Sequence, residues 1–429
     1  MLQHRSMAAC TSTTTEVVTG RRTSDAPATF HLGAGMVAID MGNALWVAAT
    51  LICLSGTTAN AAPHRPTSDD LVLLQSASSS SINPDLKALR QVLDADPRDI
   101  DSALKLARLT IAEGRRNGDP RYYGQAQAAL APWWADSKPL VDVAILRATI
   151  NQAFHKFTPA LADLDHVIAL DPDNMQAHLS RAFILMVTGN HQSAAGDCTA
   201  ITDPRAVLVR EICRARLAAL SGKGPEAFKQ LQSLITASAG GNPTALAFAQ
   251  TVLAEIAVSL GDMKTAEALF MQLSNNGDPD VAILAAHADL LLASDRAAEA
   301  LALLENRGES DAVLLRQAIA AKNTSDPRLS DWTSILQERF AAAAASNNRV
   351  HLREEARFKL EVMSDANAAL AIAIENWSTQ KEPADAQVLL AAALAAGNST
   401  ASAPVRNFIA TTGLDDARLN PLIKKLAGP

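Results

Sequence analysis

Four histidines, His155, His166, His178 and His191, stand close together in the chain and invite a test for a metal site. Imidazole is a common transition-metal ligand, and a helical zinc site places two of them at i and i+4 on one face. No pair here has that spacing, and the separations put the four on different helices and turns. They read as solvated or capping histidines, with no metal expected. A second chemistry is carried by Cys198 and Cys213. In an oxidising compartment they would form a bridge closing a loop of about 15 residues, worth roughly 3 kcal/mol; otherwise both are small apolar core residues. The run His351-Leu352-Arg353-Glu354-Glu355 mixes acid and base, but at helical spacing it reads as a wet charged face. The chain has no glycine-rich phosphate loop after a strand and no G-x-S-x-G turn. Neither an enzyme nor a bound cofactor is expected.

The elements that carry these side chains form a repeat. An alanine pair twelve residues apart recurs as Ala148 and Ala160, Ala182 and Ala194, Ala215 and Ala227, Ala254 and Ala266, Ala286 and Ala298, Ala356 and Ala368, and Ala391 and Ala403. The second members are separated by 34, 33, 39, 32, 70 and 35 residues, a period near 34 with one doubled interval. Two antiparallel helices approach closely only where neither carries bulk at the crossing, so one alanine on each marks the contact. A hairpin of this kind has apolar surface on both flanks and must stack on neighbours to bury it.

With Ala148 and Ala160, Phe157 before the second helix and a closing Asp171-Pro172, the segment from Leu140 to Asp173 resembles a tetratricopeptide repeat. The unit from Asn174 to Pro204 follows with Ala182, Gly189, Ala194 and Asp203-Pro204. The chain departs from that family in lacking the usual Trp, Gly and Tyr of the first helix, and residues 309 to 346 show no clear alanine pair. The resemblance implies an all-α, right-handed superhelical solenoid of antiparallel two-helix repeats, about eight hairpins spanning residues 84–429.

Punctuation agrees with that register. Six Asp-Pro dipeptides begin at Asp96, Asp119, Asp171, Asp203, Asp278 and Asp326, and each reads as a helix start. Gly189, Gly222, Gly261 and Gly397 fall where a chain leaving a helix needs positive φ. With 48% hydrophobic residues but 4% aromatic, the core is built from alanine and leucine. A net charge of −7 without basic runs argues against nucleic acid as partner.

Residues 1–61 stand apart as an export signal region. The chain is almost wholly apolar from Asn43 to Gly56, too short for a membrane span, and an A-x-A pattern at Ala59 to Ala61 predicts cleavage near Ala61 into a periplasmic protein. Met36 and Met41 offer later starts, with residues 1–35 then untranslated or else disordered. Cys53 lacks the small upstream residue of a lipid attachment site. Residues 62–83, rich in Ser, Pro and Asp, read as a flexible leader.

Function is then expected on the concave face, lined by the first helix of each hairpin. In this register it presents Asp142, Ile145, Thr149, Gln152, Gln176, Leu179, Phe183, Met186, Arg216, Thr251, Glu255 and His287. The Lys, Asn and Arg set with which tetratricopeptide domains clamp a terminal carboxylate is absent. The expected partner is a protein or peptide held by apolar contacts, either by a free-standing scaffold or by an accessory or assembly subunit of an envelope enzyme or transporter.

Overall fold

The computed structural model describes residues 84–275 and 279–427. The expected export signal, its cleavage site, Cys53, the leader and Asp278 lie outside the described residues. All regular structure among those described is helical. The helix α1 (Pro84–Ala95) leads into α2 (Ile100–Asn117), α3 (Arg121–Ala129) and the short α4 (Ala131–Trp134). Hairpins follow: α5 (Val141–Ala153) with α6 (Phe157–Leu170), α7 (Met175–Val187) with α8 (His191–Ala200), and α9 (Val207–Ala219) with α10 (Gly224–Ala237). Next come α11 (Pro243–Ser259) with α12 (Met263–Asn275), α13 (Val281–Ala293) with α14 (Ala297–Leu304), and α15 (Asp311–Thr324) with α16 (Leu329–Ala345). The last units are α17 (Leu352–Arg357), prolonged by a π-turn at Phe358–Val362, with α18 (Ala366–Thr379); α19 (Pro383–Ala395) with α20 (Ala403–Thr412); and α21 (Asn420–Leu426).

One backbone signature fixes the register of the hairpins. The residue entering the second helix donates its N–H to the carbonyl five back, as in Asn190 to Leu185, and its own carbonyl accepts from the residue four on, as Asn190 does from Ala194. By that rule Ala148 and Ala160, Ala182 and Ala194, Ala215 and Ala227, and Ala254 and Ala266 are the crossing pairs, all within 7% of full burial. Three other units are corrected. In α13/α14 the crossing is Ala288 with Ala300, each 0% exposed, whereas Ala298 faces solvent. In α17/α18 the partner of Ala356 is Ala369, because the π-turn inserts one residue, with Met363 bonding back to Phe358. In α19/α20 Leu390 and Ser402 occupy the crossing.

Residues 311–345 form a hairpin although their alanine pair is missing. Ala318 is 0% exposed, but an Asp326-Pro327-Arg328 turn places Trp332 at the position opposite, with the Arg328 guanidinium 4.9 Å from its ring centre. The spacing and size pattern are both lost there. Asp203-Pro204 opens the short 3-10 helix Pro204–Ala206 as expected, whereas the other described Asp-Pro dipeptides precede helices without capping them. Asp119, Asp203 and Asp326 each accept the N–H of an arginine two residues on and hold its guanidinium. Asp99 and Asn174 are the side chains that cap α2 and α7.

Within two hairpins the second helix is also tied by charge. Arg147 grips Asp163 at 2.6 Å, and Arg181 grips Asp197 at 2.6 Å, sixteen residues on in both cases. Cys198 on α8 and Cys213 on α9 are joined as a disulfide with their Cα atoms 5.6 Å apart, linking consecutive hairpins.

Candidate functional site

The first helices of successive hairpins bring their polar side chains into one network. Arg216 on α9 pairs with Glu255 on α11. Asp289 on α13 lies between Arg316 on α15, at 2.6 Å, and Arg357 on α17, at 2.9 Å. Arg353 on α17 reaches Glu382 at 3.2 Å and Asp385 at 3.3 Å, and Glu382 returns to Arg216 at 3.0 Å. Glu354, 3.7 Å from Arg353 and within the field of Arg316, links the two sets of pairs between α9 and the start of α19.

Glu382 belongs to a C-terminal layer that covers the row of turns of the earlier hairpins. The Lys381 N–H donates to the Val187 carbonyl, and the Ala417 N–H to the Ser259 carbonyl, both at 2.8 Å. Gln380 bonds His155, and Phe408 on α20 meets both His191 and Trp377 edge-on. Leu220 packs into the cluster formed by α18 to α21. Gly222 carries φ of 74°, and a Cβ there would come within 2.2 Å of the Gly413 carbonyl oxygen, so the close approach admits glycine on both counts. Of the residues expected on the partner face, Arg216 meets this layer through Glu382, and the layer's other contacts named here are with hairpin turns.

Arg216 and Glu255 are committed to ion pairs, and the Phe183 ring packs on Phe248 with the Arg216 guanidinium 5.3 Å from its centre. Met186, 2% exposed, sits in the core with Ala182, Cys198 and Cys213, and His287, 6% exposed, stacks on Phe270; neither lines an open face, which corrects the expectation for both. Ile145 and Leu179 are half-buried against their own hairpins. The Thr149 and Thr251 hydroxyls bond carbonyls one turn back, and Gln176 donates to Ser180. Gln152 is half-buried, and Asp142 pairs with Arg108 of the preceding unit.

Burial sets the charge states in the network. It pushes the Asp385 carboxyl up to about 6 against the pull of Arg353, and the neighbouring Glu382 charge adds to the rise. Asp385 accepts from the Asn376 amide and the Glu382 N–H, which hold it in place. Burial opposes the charge of Glu354 as well, but Arg353 and Arg316 outweigh it and bring that group down to about 2. Burial lowers His155 to about 4, with Arg353 adding to the effect.

The histidines are held separately. His178 bonds Asp197 and the Pro172 carbonyl, His166 the Pro139 carbonyl, and His155 stacks on Phe157. Among the described residues no three His, Cys, Asp or Glu side chains are grouped to hold a metal ion, and no helix is long and apolar enough to cross a membrane. The network itself was missed in sequence, because arginines in first helices carry no mark of which distant carboxylate they meet.

No protein-family model and no curated protein sequence matches the chain. Among solved structures it is similar to a tetratricopeptide repeat protein from Parabacteroides merdae, at 13% identity over 68% of this chain and 98% of that one, with a TM-score of 0.34. It is also similar to the tetratricopeptide domain of P58(IPK), at 18% identity over 77% of this chain and 97% of that one, with a TM-score of 0.20. The solenoid assignment rests on the helix pairing and register described above.

Proposed function

We propose that this chain is a non-catalytic, exported interaction scaffold whose inner helix face holds a helical segment of a partner protein, with its own C-terminal helices keeping that place in the free state. The observation that carries this reading is Glu382, an acidic residue preceding α19 that is gripped by Arg216 and Arg353 from two first helices. A helix start bearing a carboxylate is thus the chemistry this face accepts. A partner presenting the same group competes with α19, and its affinity is reduced by the fraction of molecules in which the layer is closed.

The test uses a photo-crosslinking residue at Phe183 in cell-envelope material. Glu382→Gln, which loosens the layer, raises the yield of one partner band, and adding Arg216→Met abolishes the gain. Equal yields in all three proteins overturn the inner-face reading. Export is tested separately: the mature protein begins at Ala62, whereas an intact N-terminus in the cytosol overturns that part.

A further inference from the structure

Repeat register exposes one residue out of pattern. The carbonyl that accepts the turn N–H five residues on belongs to Leu185, Ala218, Ala257, Leu291, Ala321 and Ala393 in six hairpins, and to Asn151 in α5/α6. An apolar side chain suffices to pack that position. Asn151 is 8% exposed, and its amide makes no hydrogen bond with the described residues. It opens into a cleft of about 380 Å³ between α4 and the α5/α6 hairpin, lined also by Trp134, Pro139, Arg147, Asp163 and His166.

The other buried polar groups of this cleft are already engaged. Arg147 donates to both Asp163 oxygens and to the Trp134 and Asp136 carbonyls, and His166 is bonded to the Pro139 carbonyl. The Arg147 and Asp163 charges cancel, so the floor offers nothing to hold an anion. What remains in the buried part is the Asn151 primary amide, which presents an N–H donor and a C=O acceptor side by side, with the exposed Ser137 hydroxyl at the rim and an indole and prolines contributing to the walls. That set is complementary to an amide group, whose C=O and N–H pair with it, flanked by apolar substituents.

We propose that this cleft is a binding site for an uncharged, extended peptide segment, with the Asn151 side chain pairing one of its backbone amides. The site uses none of the groups of the C-terminal layer and stands independently of the inner-face reading. The probe is the capped peptide acetyl-Leu-Gly-Leu-amide, followed through the Trp134 indole signal in ¹⁵N-correlated NMR, assigned with Trp134→Phe. Saturable shifts of that signal are expected, and Asn151→Leu weakens binding roughly tenfold by leaving the ligand amide unpaired. Leucine stands at this position in two other hairpins, so the variant melts no lower than the parent; its melting curve identifies any loss through unfolding, and Asn151→Ala then repeats the comparison. Sodium acetate leaves the signal in place. No shift with the peptide, unchanged affinity in the folded Asn151 variant, or equal binding of acetate overturns the proposal.

Discussion

Glu382→Gln isolates the contact by which the C-terminal layer holds the inner face. The change keeps size but removes the charge and turns one of the two accepting oxygens, which Arg216 meets at 3.0 Å and Arg353 at 3.2 Å, into an amide donor. The Glu382 side chain is 22% exposed, as is Arg216, and Arg353 is 28% exposed. Removing one partner of a fully buried pair costs about 3–5 kcal/mol, and of an exposed pair at most about 1 kcal/mol, so this partly shielded carboxylate is expected near 2 kcal/mol. At about 1.4 kcal/mol per tenfold, that raises the open population of the layer roughly thirtyfold. Hydrogen exchange by mass spectrometry reads it directly, since the Lys381 and Ala417 amides donate across the seam to Val187 and Ser259. Both segments should exchange faster together, at pH 7.5 and low salt. A rise confined to α19, or one below about threefold, would refute the view that Glu382 fastens the layer.

Three other outcomes are expected. Ala300→Leu should destabilise by roughly 2 kcal/mol through overpacking at a fully buried crossing, whereas Ala298→Leu should change the stability measured by urea unfolding by less than about 0.5 kcal/mol; equal effects would restore the sequence register. His155 is held near 4 in the fold against an ordinary value of about 6.5, so its contribution is fully present above pH 6.5 and is lost as pH falls through 4, at most about 3 kcal/mol. Asp385, raised to about 6, acts in the opposite sense between pH 6 and its ordinary value, and the His155→Gln variant, compared with the parent from pH 7 to 4, separates the two. Reducing the Cys198–Cys213 bridge should lower stability by roughly 3 kcal/mol for its loop length, and an unchanged midpoint under reductant argues that the bridge carries no stabilisation.

Much of the fold can be read in the sequence where one repeat closes on itself. The crossings at Ala148, Ala182, Ala215 and Ala254 keep fixed distances to their turns, and Gly189, Gly222 and Gly261 adopt the positive φ their places require. The register slips where local geometry changes without altering composition. In the alanine-rich α13/α14 unit, Ala286 and Ala288 are equivalent as letters, and which one faces the crossing is set by helix rotation. At Phe358–Val362 a π-turn adds one residue to the helix, and at Asp326-Pro327-Arg328 the turn is longer, so a fixed spacing of twelve cannot find either pair.

The candidate site is less legible for a related reason. Met186 and His287 lie on first helices as expected, but a helix of a stacked hairpin is packed on several sides, and rotation alone separates inner face from core. Asn151 could be singled out only after the backbone bonds had aligned the repeats.

By itself the sequence determines the unit: two helices, a small residue at most crossings and a turn that glycine or Asp-Pro can make, repeated near every 34 residues. Those are local requirements, and local requirements recur with the period of the element that imposes them. The tertiary structure alone decides what lies against the inner face. Glu382 meets Arg216 across 166 residues and Gln380 meets His155 across 225, and contacts at such separations arise from how the whole stack curves, which summed small rotations between hairpins govern and no single repeat records.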